Sequence, residues 1–258
     1  MDMNHIRKGT GKPLLLIHGL GGSWRTWENI LDALAAEREV IAIDLPGHGE
    51  TPPPPGEASM DTLAEAVTAW LAEHDLTGID VVGNSMGGRL ALELACRGVV
   101  GATVALDPGG FWKGWERGFF YLTIAASIRL VRLLQPVMPR LTGSPTGRTL
   151  LFAQLSARPR CLPADLVLAE LRTFAAAPSF NELTRRLAFG PAQRGAASTP
   201  GPIVIGWGTK DRLTLPRQAK RAMERFPSAQ LYWFEGSGHY SHWDSPAEAV
   251  RLILASTG

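Results

Sequence analysis

Several features are scarce or absent in this chain of 258 residues. It has only two cysteines, Cys96 and Cys161, which lie far apart and form neither a disulfide framework nor a zinc-binding pattern. No stretch of about 18 residues is free of charged and polar interruptions; the most apolar run, 119–134, contains two arginines, which argues against a membrane span. The first residues lack the basic and then apolar pattern of a secretion signal. Together with the unpaired cysteines, this predicts a cytoplasmic protein.

Charge is also scarce. Charged residues make up 19% of the chain and the net charge is +2, which argues against a nucleic-acid-binding protein, while 45% hydrophobic residues indicate a globular fold. The charge is unevenly placed: residues 111–200 contain 12 Lys and Arg against four Asp and Glu, and the rest contains 14 against 20. Either 111–200 has an ordinary solvated basic surface, or it attracts an anionic substrate or an acidic partner.

Short apolar runs alternate with helical patterns along most of the chain, which predicts a mostly parallel, doubly wound α/β sheet. The predicted strands are 14–17, 40–43, 79–82, 102–106, 203–205 and 231–234, all expected to be buried on both faces. The predicted helices between and after them are 24–36, 60–74, 217–226 and a C-terminal helix opened by a capping box at Ser245–Glu248. Such sheets bind ligands at the carboxyl ends of their strands.

The alternation breaks between residues 111 and 200, here called the cap segment. Its periodicity predicts helices only, at 114–134, 146–157 and 163–176, followed by a short helix after a capping box at Ser179–Glu182. We therefore expect a helical cap, or lid, inserted into a core formed by residues 1–110 and 201–258.

The sequence G-N-S-M-G-G at Gly83–Gly88 follows a predicted strand and precedes a helical pattern. This is the nucleophile-elbow motif, in which the serine stands on a sharp turn above the sheet. The glycines two residues before and two after Ser85 let the backbones pass closely. Ser85 is therefore the candidate nucleophile, and the Met86 N–H is a candidate oxyanion donor at a helix N-terminus.

A serine hydroxyl needs a base, and the base needs an orienting carboxylate. His239 directly follows the last predicted strand, and Asp211 lies just past the end of the preceding one. Asp107, which also ends a strand, is the rival acid, although an Asp-Pro turn into the cap segment is the favoured interpretation of that residue. The chain order Ser85, Asp211, His239 favours Asp211 as the acid.

The loop His18–Gly22 follows the first apolar run, and the Leu20 N–H is the natural second oxyanion donor. We expect His18 and His48 to be structural. A metal site from His239 and His242 is disfavoured because no third ligand is spaced to complete it. Phosphate-loop and dinucleotide patterns are both broken, so we predict no cofactor.

These motifs together resemble the α/β-hydrolase family over nearly the whole chain. The matching pieces are His18–Gly22, Asp44–Gly49, Gly83–Gly88, Gly206–Asp211, and Gly238–His239 with Ser245–Pro246 behind it. The resemblance implies Ser85 as nucleophile, His239 as base and Asp211 as acid, with Leu20 and Met86 as oxyanion donors. It also implies an α/β-hydrolase fold, here with a shortened N-terminal hairpin. The Ser85 elbow disfavours the family members that use an Asp nucleophile.

Three pieces are similar to the meta-cleavage-product C–C hydrolases: Gly83–Gly88, Pro108–Gly110 and Gly238–Asp244. Small carboxylesterases share the rest of the pattern. We therefore expect a serine hydrolase acting on small to medium apolar esters, a small-molecule acyl substrate being the only predicted partner. C–C hydrolysis of an anionic diketone is the alternative, and a non-catalytic binding protein of this fold a minor one. A cap arginine turned into the pocket, from Arg129, Arg132, Arg158 or Arg160, would favour the C–C hydrolase.

The predicted pocket residues are Trp112, Phe119, His242 and Trp243. Aromatic residues are also dense at the start of the cap segment, where we expect a pocket entrance lined by Phe111, Trp112, Trp115, Phe119, Phe120 and Tyr121.

Overall fold

The computed structural model describes residues 2–258, which form one seven-stranded sheet flanked by helices. The strands are β1 (His5–Lys8), β2 (Pro13–Ile17), β3 (Glu39–Ile43), β4 (Asp80–Asn84), β5 (Thr103–Leu106), β6 (Ile203–Gly208) and β7 (Gln230–Phe234). Their spatial order is β1-β3-β2-β4-β5-β6-β7, and only β1 runs antiparallel to its neighbour. The predicted α/β sheet is confirmed, with all six predicted strands close to their expected positions.

The central strands are buried on both faces, as continuous apolar runs predict. In β2, Leu15 and Ile17 pack into one hydrophobic cluster while Leu14 and Leu16 pack into another on the opposite face. The last strand differs from the prediction: Trp233 is 39% exposed, because β7 lies at the edge of the sheet. The four-residue edge strand β1 has too little apolar sequence to be recognised.

The core helices are α1 (Glu28–Ala35), α2 (Met60–Glu73), α3 (Met86–Cys96), α9 (Gln218–Arg225), α10 (Ser241–Asp244) and α11 (Pro246–Ser256). Ser59 caps α2 by accepting from the Thr62 N–H. The predicted capping box at Ser245 is wrong, because the Ser245 hydroxyl pairs with Ser237 over 2.9 Å and Glu248 accepts from Tyr232 instead. The predicted helix 24–36 begins as a 3₁₀ turn at Trp24–Trp27 before α1.

The cap segment lies between β5 and β6 and contains helices but no strand. These helices are α4 (Glu116–Leu133), α5 (Met138–Gly143), α6 (Pro145–Phe152), α7 (Ala164–Ala176) and α8 (Phe180–Phe189). The capping box predicted at Ser179 is wrong, because Glu182 accepts from the Ala58 N–H instead of closing the box. Among residues 2–258, no single helix is long and apolar enough to cross a membrane; α4 with Gln135–Gly143 meets that test only as a pair bent by 62°.

The cap segment packs onto the core through its own hydrophobic cluster. Phe152 of α6 stacks on Trp243 with ring centroids 5.3 Å apart, and Tyr240 packs edge-on against the same phenyl ring. Because Tyr240 follows His239 directly, the apolar contacts that hold the cap segment also hold the loop that carries this histidine.

Candidate active site

The turn between β4 and α3 has an unusual backbone conformation. Ser85 has φ 58° and ψ −114°, a conformation that L-residues rarely adopt. A Cβ added to Gly83 would lie 2.1 Å from the Gly87 carbonyl oxygen, and one added to Gly87 would lie 2.2 Å from the Ile17 carbonyl oxygen. Only glycine fits at both positions, so the small residues of the motif have a steric cause.

Ser85 stands at the floor of a cavity between the carboxyl ends of the strands and the cap segment. The empty space at this site, including the open solvent at its mouth, is about 810 Å³. Sixteen of its twenty-two lining residues are glycine or apolar. The polar remainder is Ser85, Ser127, Gln154, Thr214, His239 and Tyr240.

Among these lining residues, which all lie within the described chain, none is Asp, Glu, Lys or Arg. Arg132 is instead tied to the carbonyl oxygens of Ala175 and Ala177, and Arg129, Arg158 and Arg160 are exposed. The four cap arginines singled out by the sequence therefore do not line this cavity.

His239 is buried with its Nδ1 atom 2.8 Å from Oδ2 of Asp211. Asp211 holds this position through four donors. Its Oδ1 accepts from the backbone N–H groups of Leu213 at 2.7 Å and Thr214 at 3.0 Å, while Oδ2 accepts from His239 and from the Thr214 hydroxyl at 2.5 Å. This arrangement is suited to an ionised carboxylate that fixes the Nδ1–H tautomer of the imidazole.

The Nε2 atom of His239 is buried and has no hydrogen-bond partner within residues 2–258. His239 and Ser85 line the same cavity, and no hydrogen bond joins them in this structure. Contacts of this kind are commonly long before substrate binds, and they tighten in the reacting complex. The free nitrogen is therefore the atom of His239 available to a proton donor in the cavity.

Both predicted oxyanion donors lie beside Ser85. Leu20 and Met86 line the cavity, and Met86 is the first residue of α3, where a helix leaves its N–H groups without an intrahelical acceptor. A Cβ on Gly19 would lie 3.2 Å from the Cβ of Ser85, so the loop after β2 passes close to the elbow. The arrangement provides a partly positive pocket next to the serine.

Three positioning residues were missed by sequence reasoning. Thr214 reaches both Asp211 and His239, the latter at 3.1 Å. Asn84 donates to the His239 carbonyl oxygen at 3.1 Å, and Asp244 accepts from the Gly238 N–H at 2.7 Å and from Ser156 of the cap segment. Asn84 and Asp244 lie inside motifs quoted above, but the role of each of the three residues depends on a partner distant in sequence, which a local pattern does not reveal.

His18 and His48 are buried and structural, as the sequence predicts. The Nε2 atom of His18 accepts from the Leu45 N–H at 3.0 Å while Nδ1 donates to the Gly19 carbonyl oxygen at 2.7 Å, and burial lowers its pKa to about 4. Burial and the nearby His18 lower the pKa of His48 to about 3. Both imidazoles are therefore neutral at pH 7, and His18 holds the loop that carries Leu20.

The pocket predictions are correct only in part. Trp112 lines the cavity, but Phe119, His242 and Trp243 do not, so these three predictions are wrong. His242 is buried 4.7 Å from the ring of Trp27, and burial lowers its pKa to about 3. Trp243 donates its indole N–H to the Thr26 carbonyl oxygen. Both side chains therefore anchor the segment after His239 to the 3₁₀ turn Trp24–Trp27.

The wider aromatic entrance is likewise only partly formed. Of its six residues, Trp112 and Phe120 line the cavity and stack on each other at 4.7 Å. Phe111 packs against Trp207, and Trp115 is 62% exposed beneath Arg217. On α4, Phe119 packs edge-on against Trp115 and Tyr121 packs against Phe189, and neither lines the cavity.

Asp107 lies at the same end of the sheet as Asp211. Asp107, Asp211 and His239 place three oxygen or nitrogen atoms within 4.8 Å of one another, all of them buried. The sequence analysis favours Asp107 as a turn residue. The structure shows that its carboxyl group also lies close to Asp211 and His239. Such a trio is also a group that could hold a metal ion.

Comparison with known proteins identifies the family of this chain. A sequence model of the alpha/beta hydrolase family matches residues 14–252. The chain belongs to the alpha/beta hydrolase family. An uncharacterized protein of Mycobacterium tuberculosis is 30% identical to this alpha/beta hydrolase over 261 residues, covering 95% of this chain and 75% of that protein. A 2-hydroxy-6-oxo-2,4-heptadienoate hydrolase of Pseudomonas putida is 28% identical over 260 residues, which cover 95% of this chain and 88% of that protein.

Solved structures share the fold over almost the whole length of the chain. An esterase from Exiguobacterium antarcticum matches with a TM-score of 0.79 at 19% identity, covering 98% of this chain and 94% of that one. A meta-cleavage product hydrolase from Pseudomonas fluorescens matches with a TM-score of 0.76 at 21% identity, covering 98% and 93%. The alpha/beta hydrolase thus shares its fold with a solved esterase and a solved meta-cleavage product hydrolase.

Proposed function

We propose that this alpha/beta hydrolase is a cofactor-free serine hydrolase that cleaves small to medium apolar carboxylic esters through an acyl-enzyme on Ser85. The observation that carries the proposal is the neutral, mostly apolar cavity around Ser85 and His239. An apolar acyl or alcohol group gains free energy by leaving water for such a cavity. A carboxylate would lose its hydration there without meeting a cation.

In the proposed mechanism Ser85 Oγ attacks the ester carbonyl carbon while His239 Nε2 takes the hydroxyl proton. Asp211 stabilises the resulting imidazolium through the 2.8 Å contact to Nδ1. The Leu20 and Met86 N–H groups bind the developing oxyanion. The imidazolium then returns its proton to the leaving alcohol, which leaves the acyl group on Ser85. Water, deprotonated by His239, next attacks the acyl carbon, and His239 returns the proton to Ser85 Oγ as the carboxylic acid leaves.

C–C hydrolysis of an anionic vinylogous diketone is the alternative, supported by the relative that acts on 2-hydroxy-6-oxo-2,4-heptadienoate. That substrate class carries a carboxylate, and the expected partner for it is a cap arginine in the pocket. Arg132 instead binds carbonyl oxygens within the cap segment, and the cavity lining has no arginine. We therefore favour an ester over an anionic diketone as the substrate.

A non-catalytic binding protein of this fold is not favoured. Such a protein would be expected to lack a member of the triad, whereas here Asp211 and His239 are hydrogen-bonded and His239 lines the same cavity as Ser85. The basic surface of the cap segment does not point into the cavity, so it supplies no argument for an anionic substrate. Its role in binding an anion, and a cytoplasmic location, stay predictions.

The test is burst kinetics with p-nitrophenyl butyrate in parallel with an anionic dienoate diketone, on the wild type, Ser85→Ala and Ser127→Ala. Ser127 is a matched control because it lines the same cavity on α4. We expect fast ester turnover that is lost in Ser85→Ala and retained in Ser127→Ala, together with labelling of Ser85 by a fluorophosphonate. Normal ester turnover by Ser85→Ala would contradict the mechanism, and much faster diketone cleavage would establish the alternative.

A further inference from the structure

Two carboxyl groups lie behind the imidazole of His239. Asp107 follows β5 and Asp211 follows β6, and these strands are parallel neighbours in which Leu106 pairs with Gly206. The pairing brings the two side chains to the same point above the sheet. Asp107 is fully buried and Asp211 is 3% exposed, and their oxygens lie within 4.8 Å of each other and of a His239 nitrogen.

The two groups are bonded very differently. Asp211 accepts four hydrogen bonds, as an ionised carboxylate does. Asp107 accepts one, from the Gly208 N–H to Oδ1 at 2.7 Å, and its buried Oδ2 accepts no hydrogen bond from the N–H and O–H groups of residues 2–258. An ionised carboxylate in this position would have one oxygen desolvated and uncompensated, whereas a neutral acid would have one proton to donate.

No cation balances a second negative charge. Within the described chain, the hydrogen bonds and ion pairs of Asp107 and Asp211 involve no lysine or arginine, and the one basic side chain among their bonded partners is His239. Two negative charges close together in a buried site oppose each other's ionisation, which favours keeping one of the two groups protonated. Burial and the neighbouring Asp211 raise the pKa of Asp107 well above its ordinary value, against smaller lowering effects from the Gly208 N–H and Ser241.

We propose that Asp107 is a positioning residue of this active site: as a neutral carboxylic acid it donates its proton to Asp211 and keeps a single negative charge behind His239. The inference rests on the proposed function, since it concerns the acid of that triad. A single charge stabilises the imidazolium when His239 takes the Ser85 proton. Two charges would hold that proton too tightly for its return to the leaving alcohol.

The test compares Asp107→Asn with Asp107→Ala. The Asn amide keeps an oxygen for the Gly208 N–H and an N–H for Asp211, so we expect kcat within about threefold of the wild type and an unchanged KM. Asp107→Ala removes both contacts. We expect kcat to fall about tenfold with little change in KM, because the loss of the buried hydrogen bond to Asp211 raises the activation free energy by about the value of one such bond. The Asn variant thus acts as the conservative rescue of the Ala variant.

The pH dependence distinguishes a neutral Asp107 from an ionised one. If Asp107 is neutral, Asp107→Asn does not change the charge near His239, and the acidic limb of kcat/KM against pH stays in place. If Asp107 is ionised, the substitution removes a negative charge close to the imidazole, and the limb moves to lower pH by about one unit or more. That shift would overturn the proposal, as would activity lost to EDTA and restored by Zn²⁺, which would assign the trio to a metal.

A measurement without turnover separates this inference from the proposed function. NMR titration of the His239 imidazole in the wild type and in Asp107→Asn reports the charge behind the ring whether or not the chain cleaves esters. Equal His239 titration in both proteins supports a neutral Asp107, and a lower midpoint in Asp107→Asn contradicts it. If Asp107→Ala does not fold, the Asn variant alone decides. Failure of the wild type to cleave esters or react with a fluorophosphonate would count against the proposed function only.

Discussion

The carboxyl group of Glu170 in α7 accepts a hydrogen bond from the Tyr240 hydroxyl at 2.8 Å, one residue beyond His239. The same carboxyl group contacts the Thr26 hydroxyl at 3.0 Å, in the 3₁₀ turn after the loop that carries Leu20. One buried acid of the cap segment therefore joins both loops that form the site.

This contact predicts a pH-dependent stability. Burial raises the pKa of Glu170 from its ordinary 4.5 to about 7, although Tyr240 and Thr26 act in the opposite direction. Between pH 4.5 and pH 7 the folded protein keeps a proton on Glu170 that the unfolded chain has already released. The contribution of this proton to the unfolding free energy is therefore complete below about pH 4.5 and is lost as the pH rises through 7. We expect that loss to reach roughly 3 kcal/mol of unfolding free energy.

Urea denaturation of the wild type and Glu170→Gln between pH 5 and pH 8 checks this. The difference in unfolding free energy between the two proteins should favour the Gln variant progressively as pH rises. Asp165→Asn is a matched control, because Asp165 is an exposed acid on the same helix. A difference that does not change with pH would mean that Glu170 is ionised throughout.

The nucleophile elbow should not accept a side chain at Gly83. An alanine there would place its Cβ 2.1 Å from the Gly87 carbonyl oxygen, and the clash is with backbone, which cannot rotate away. We expect a loss of about 3 kcal/mol or more in unfolding free energy, or failure to fold. Gly118→Ala in α4 meets no atom within 4 Å and should instead gain about 0.5–1 kcal/mol from helix propensity. Chemical denaturation midpoints test both, and an undisturbed Gly83→Ala would contradict the backbone geometry of the elbow.

The triad acid should be Asp211 and not Asp107. Asp211→Asn keeps the shape but favours the wrong imidazole tautomer, and we expect kcat to fall about 10²–10⁴-fold. Asp107→Asn is the matched comparison at the neighbouring position. Steady-state kinetics on both variants with p-nitrophenyl butyrate decides between them. A large loss in Asp107→Asn with little loss in Asp211→Asn would reverse the assignment and also end the positioning role inferred for Asp107.

The cavity should set the length of the acyl chain. Ile128 of α4 lines the cavity, while Leu122 of the same helix is 66% exposed. Ile128→Trp fills part of the space, so the kcat/KM ratio for octanoate over butyrate esters should fall by about tenfold or more, and Leu122→Trp should leave that ratio unchanged. An unaltered ratio in Ile128→Trp would mean that the acyl group binds elsewhere.

The motif residues were predictable because their geometry is local. Gly83–Gly88 needs only a strand, a tight turn and a helix, and the order of Asp211 and His239 after two successive strands brings them to one edge of the sheet. The same reasoning placed His18 correctly as a support. It failed for Ser179 and Ser245. Both serines fit the sequence pattern of a capping box, but in the structure neither side chain makes the capping hydrogen bond.

The sequence by itself determined the α/β sheet, the helical nature of residues 111–200 and the residues that could form a triad. These features depend on the periodicity of hydrophobic residues, on the residues at turns and on the order of the strands, all of which are local properties of the chain. Tertiary structure alone decided what surrounds that triad. The neutrality of the cavity depends on Arg132 turning toward the carbonyl oxygens of Ala175 and Ala177, and the pairing of Asp107 with Asp211 depends on β5 and β6 being neighbours. The direction of a side chain and the charge beside it depend on packing between distant segments, which no local pattern encodes.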